Sequence, residues 1–90
     1  MEATGNMVAG DSFRNGRDAP VKVYLEPSAE ELWLQPGEVL LMVKKCDGEA
    51  TFEIEYRSDG DVVVWIPRGQ SADCYIDGRL IETICSQFVW

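Results

Sequence analysis

Ninety residues carry sixteen acidic side chains against eight basic ones, for a net charge of −8, and include no histidine. A chain of this length builds one hydrophobic core and no second, and its negative field excludes nucleic acid and anionic membrane surfaces as partners. Without imidazole there is no Ser-His-Asp or Cys-His catalysis, no His-ligated zinc, no cupredoxin copper site and no cupin metal chemistry.

Met1 to Gly10 (MEATGNMVAG) is small and polar and lacks the basic-then-apolar order of a signal peptide. It is expected to be a flexible N-terminal segment ahead of a single domain at 11–90. Asp11 to Arg14 reads as a short strand with Phe13 inward, closed by the turn signal Asn15-Gly16. From there the strand signals follow closely. Val21, Val23 and Leu25 alternate with Lys22, Tyr24 and Glu26, the period of two that buries one face. Pro27 and Ser28 end that run. Leu32 and Leu34 alternate around Trp33 before Gln35-Pro36-Gly37, where proline presets one turn position and glycine permits positive φ at the next. Glu38 to Lys45 (EVLLMVKK) is apolar on both faces, which predicts a central strand covered on both sides. Its apolar stretch, Val39 to Val43, is too short to cross a bilayer.

Asp47-Gly48 is the next turn signal. Thr51 to Arg57 (TFEIEYR) places Phe52, Ile54 and Tyr56 on one face and Thr51, Glu53, Glu55 and Arg57 on the other. Ser58 to Asp61 closes a hairpin into the β-branched run Val62 to Ile66 (VVVWI). Pro67, Gly69 and Ser71 mark a loop, and Ala72 to Asp77 pairs across Asp77-Gly78 with the segment from Arg79 onward. In the tail, Leu80, Ile81, Ile84, Cys85 and Phe88 have helix-compatible spacing, so strand and short helix both stay open for 80–90. The whole reads as seven or eight short antiparallel strands in an all-β sandwich, immunoglobulin-like or cupredoxin-like without the metal.

The stretch Val21 to Val43 contains Glu26-Pro27, then Glu30-Glu31-Leu32-Trp33-Leu34, then Pro36-Gly37-Glu38, and Gly60 to Ile66 (GDVVVWI) is similar in kind. This strand, Glu-Pro, link, strand, Pro-Gly-Glu, strand unit resembles the opening of a group of small, acidic, uncharacterised bacterial β-sandwich proteins. The resemblance implies the sandwich fold. Its motifs are turn chemistry, so it implies no catalytic residue.

Cys46, Cys74 and Cys85 are odd in number and lack CxxC spacing, which allows one pair and a free thiol but favours three reduced thiols serving as small hydrophobes in a cytoplasmic protein. Cys46, after Lys44 and Lys45, has a positive setting but no general base beside it. Glu53 and Glu55 lie about 7 Å apart on one strand face rather than across a cleft, which reads as a solvated surface and not as an acid/base pair. Asp59 and Asp61 around Gly60, and Asp47 and Glu49 around Gly48, do not reproduce a calcium loop and read as turn residues. Arg68-Gly69-Gln70 is a loop and no phosphate cradle. Catalytic, cofactor and metal residues are therefore expected to be absent.

The aromatic residues remain. Tyr24, Trp33, Trp65 and Tyr75 each occupy the phase opposite to the main aliphatic face of their strand, and Phe88-Val89-Trp90 adds apolar surface at the end. Two placements fit: an outward aromatic patch, which marks an interaction surface, or rings that cap the ends of the sandwich. On the first, the chain is a non-enzymatic domain that binds a protein partner or a second copy through Tyr24, Trp33, Trp65, Tyr75 and Trp90, rimmed by Glu26, Glu30 and Glu31, which steer a basic partner. A small-ligand or carbohydrate-binding module using Trp33 and Trp65 is the alternative. An enzyme using its carboxylates or Cys46 is the third.

Overall fold

Alternation of period two decides which side of each strand is buried, and the computed structural model, which describes residues 10–45 and 51–90, follows it closely. The strands are β1 (Gly10–Arg14), β2 (Val21–Glu26), β3 (Glu30–Leu34), β4 (Val39–Lys44), β5 (Glu53–Tyr56), β6 (Val62–Trp65), β7 (Ala72–Ile76) and β8 (Arg79–Ile81). They form two four-stranded sheets, ordered β1-β4-β7-β8 and β3-β2-β6-β5. Val21, Val23, Leu25, Leu34, Val62 and Val64 of the second sheet pack with Leu40, Met42, Ala72, Cys74 and Ile76 of the first in one buried cluster, so the molecule is a small β-sandwich. Among the described residues no helix is long and apolar enough to cross a membrane.

Three departures from the sequence reading bear on function. The strands are not all antiparallel: β2 and β6 pair in parallel, Val23 opposite Val62 and Leu25 opposite Val64. Between β3 and β5 the chain crosses to the other sheet through β4, and that crossover supplies the long connection a parallel pair needs. The hairpins β2–β3 and β5–β6 are thereby set side by side.

Second, β4 is central but covered on one side. Leu40 and Met42 are buried, whereas Val39, Leu41 and Val43 are half-buried on the outer face. The apolar run therefore reflects a strand with one face in the core and the other only partly shielded. Third, Tyr56 shares the inward phase of Ile54 yet is 68% exposed, on the edge strand of its sheet. The tail, left open between strand and short helix, contains both: β8 has three residues, and Ile84–Ser86 form one 3₁₀ turn.

The turn chemistry holds at Asp77-Gly78, where φ of 50° and 82° make the two-residue connection between β7 and β8. Asn15, read as a turn residue, is a buried junction, only 1% exposed. Its Nδ2 donates to the carbonyls of Ala19 and Leu34, its Oδ1 accepts from Arg17 N–H, and its own N–H donates to Glu38 O. Of the expectation for Met1 to Gly10, residues 1–9 lie outside the described residues and Gly10 already opens β1. Cys46 and the Asp47-Gly48 and Glu49 turn lie outside them as well.

Candidate functional site

Register fixes what stands on the outer face of the second sheet. Val21, Val23 and Leu25 face the core, so Lys22, Tyr24 and Glu26 of β2 face out. Glu31 and Trp33 of β3, Val63 and Trp65 of β6, and Glu53 and Glu55 of β5 share that face. Trp33 lies opposite Lys22, Tyr24 between Glu31 and Val63, and Trp65 between Glu26 and Glu53. The three rings thus step diagonally over three adjacent strands, with Cα offsets of about 8 Å from strand spacing and rise. Trp33 is 56% and Trp65 42% exposed.

The two ends of this diagonal differ in charge. Lys22 Nζ sits 5.2 Å from the Trp33 ring centroid and 5.5 Å from that of Tyr24, while it pairs with Glu31 at 3.5 Å. The Arg57 guanidinium also lies over Tyr24, at 5.5 Å. Lys22 is held above the usual lysine range, first by the Glu31 carboxylate and then by Tyr24. The Trp65 end has the opposite character. Its Nε1–H donates to Glu55 Oε1 at 3.2 Å, and Glu26 and Glu53 flank it on the neighbouring strands. Among the described residues no cation stands over its ring. Glu53, Ile54, Glu55 and Trp65 line an open hollow of about 240 Å³ there. Val63, although outward, is buried between Tyr24 and Glu55, so the rings stand on an apolar base.

Compared with known proteins, the chain matches no family model, no curated protein and no solved structure.

The sequence singled out eight residues for one surface, and five of them, Tyr24, Trp33, Trp65, Glu26 and Glu31, share this face. Tyr75 stands on the outer face of the other sheet, between Leu41 and Leu80, the latter 61% exposed. Trp90 turns inward: it packs against the core, its Nε1–H donates to Cys85 O at 3.3 Å, and its backbone N–H donates to Gln70 O. Phe88 meets it edge-on at 5.9 Å, and Phe88 and Val89 are left exposed. Glu30 lies on the inward phase of β3, where Oε1 accepts from Ser28 Oγ and Cys85 N–H and Oε2 accepts from Ile84 N–H. It anchors the tail.

Lys22, Arg57, Glu53, Glu55 and Val63 join the face without having been assigned to it. Their phase along each strand was legible, but placing them beside Trp65 and Tyr24 requires the β2–β6 and β5–β6 registers. Asp59 serves its turn, accepting from Asp61 N–H, and Asp61 Oδ1 accepts from Lys22 N–H. Cys74 and Cys85 are fully buried with their Sγ atoms 3.7 Å apart, and Cys74 also reaches Met42 Sδ at 3.3 Å.

Proposed function

We propose that this chain is a non-enzymatic binding domain that seats a basic segment of a partner protein on the outer face of the β3-β2-β6-β5 sheet. The observation that carries the reading is Trp65, an exposed indole among Glu26, Glu53 and Glu55 whose ring takes no cation from its own chain among the described residues. An arginine or lysine side chain from a partner stacks on that ring and pairs with the surrounding carboxylates. Lys22 and Arg57 do the same work intramolecularly at Tyr24 and Trp33, so the apolar part of the partner extends over those rings while its charge lies at Trp65. The net charge of −8 accelerates encounter with a basic surface. It also opposes pairing of two copies, which favours a different protein as partner. The two buried free thiols suit a reducing compartment such as the cytoplasm.

The three-ring diagonal also favours a second reading, a carbohydrate stacked across Trp33, Tyr24 and Trp65. Calorimetric titration separates the two. An arginine- and lysine-rich peptide is expected to bind, an acidic peptide of equal length and a panel of oligosaccharides to give no heat, and Trp65→Ala to weaken the peptide about tenfold or more. Binding of a sugar, with no response to the basic peptide, would replace the first reading by the second.

A further inference from the structure

At one end of the sandwich, where β1 leaves for β2 and β5 turns into β6, the surface opens into a cleft of about 270 Å³ lined by Phe13, Arg14, Arg17, Tyr56, Arg57 and Asp61, with Val21 and Val62 also contributing. In an acidic molecule this is an anomaly of charge: three of the chain's eight basic side chains border one hollow, against a single carboxylate. That carboxylate is already engaged, accepting from the Lys22 backbone N–H. No ion pair to Arg14, Arg17 or Arg57 occurs among the described residues. The Arg17 guanidinium occupies the space that a Cβ at Gly60 of the β5–β6 turn would take, and the φ of 94° there favours glycine. Arg57 stands at the border, its guanidinium resting on Tyr24 of the outer face.

The wall of the cleft is aromatic. Phe13 and Tyr56 meet with ring centroids 5.9 Å apart at 48°, and Tyr56 keeps most of its surface open. Guanidinium groups recognise oxyanions by paired N–H donors, and three of them match a dianion better than a single carboxylate. An exposed ring beside them supplies a stacking surface for a planar group. The volume is near the lower limit for small-molecule sites.

We propose that this cleft binds a phosphate monoester that also bears a planar ring, with the phosphate on Arg14 and Arg17 and the ring against Tyr56. It goes beyond the reading of the outer face, which shares Arg57 with the cleft and is acidic around Trp65.

Phenyl phosphate is the probe, with amide shifts of the full chain as the readout. It is expected to move the resonances of Phe13, Arg14, Arg17 and Tyr56 with millimolar or tighter affinity. Arg14→Gln and Arg17→Gln are each expected to weaken it by roughly tenfold, and Tyr56→Ala to bring it down to the affinity of inorganic phosphate. Trp65→Ala is expected to leave it unchanged, which keeps this site and the basic-partner site separable. Adenosine monophosphate and a phosphotyrosine peptide, run beside it, tell a free nucleotide from a protein-borne aryl phosphate by which of them binds more tightly. No shift at these residues with any of the three phosphates, or undiminished binding in both arginine variants, would overturn the proposal. Inorganic phosphate binding as well as phenyl phosphate would overturn the role of the ring. All the substituted side chains are exposed or half-buried, and retention of the remaining amide spectrum identifies a variant that has kept its fold.

Discussion

Asn15 makes three side-chain hydrogen bonds at nearly zero exposure. Its amide serves two carbonyls and one N–H, of which the Leu34 carbonyl is buried, and its backbone joins the turn between β3 and β4. Asn15→Ala is expected to destabilise the domain by about 2–3 kcal/mol, since it strands those groups rather than removing them. For a domain of this size that is a fall of roughly 10–20 °C in Tm by thermal unfolding. The paired thiols act at the same scale. The hydrogen bond to Cys85, together with burial, pushes the Cys74 thiol far above its ordinary range, so at neutral pH it carries a proton and is a poor nucleophile. An aromatic disulfide reagent is expected to leave Cys74 and Cys85 unmodified in the native protein and to reach both in denaturant. Rapid native labelling of Cys74, read by mass spectrometry of the peptide, would contradict that burial.

Among the elements, the tail depends on contacts from distant segments. The β3 carboxylate of Glu30 accepts from Ile84 and Cys85, Lys45 Nζ donates to Ser86 O at 2.8 Å, and Trp90 is tied to Gln70. Glu30→Ala is expected to cost about 1.5–3 kcal/mol, the range for hydrogen bonds to a charged group. It should also raise hydrogen exchange at 84–86 more than in the β2–β6 pair. Equal exchange changes throughout would deny the tail its anchor.

Sequence alone supplied most of the strands, because alternation and turn residues are local signals. Val21 to Glu26 and the Asp77-Gly78 hairpin are examples. The parallel β2–β6 pair had no local signal, since it depends on which hairpins meet after the chain crosses between sheets. The site was legible in the same partial way. The outward phases of Tyr24, Trp33 and Trp65 could be read from their own strands, but Tyr75 and Trp90 could not be separated from them without knowing the sheets. Glu30 looked like surface acid because its partners in the tail, Ile84 and Cys85, lie more than fifty residues away. Nothing in the spacing of Phe13, Arg14, Arg17 and Tyr56 indicated that two loops would bring them to one cleft.

Across the whole molecule, charge is sorted by location: glutamates surround Trp65, and arginines border the cleft at the end of the sandwich. Lys22 lies between these regions on the outer face. Because the folded state favours its charged form, its contribution to stability is complete below the ordinary lysine value of 10.5 and is lost as pH rises beyond that through its higher folded-state value. The stability difference between the wild type and Lys22→Gln is therefore expected to stay constant through neutral pH and to shrink only in alkaline solution. Denaturant midpoints measured across that range test the sign. A difference that grew with alkalinity would show that Lys22 is not held by Glu31 and Tyr24.

The proposed contact surface holds Trp65 and Trp33, whereas Trp90 packs against the core. The three tryptophans give three indole N–H resonances, which report on each ring separately in one ¹⁵N-correlated spectrum. On titration with a basic peptide, the Trp65 signal is expected to move most and the Trp33 signal to follow, both less at high salt. The Trp90 signal should stay in place. Movement of Trp90 alone, or no movement of Trp65 at peptide concentrations that saturate binding, would contradict the assignment of the outer face as the binding surface.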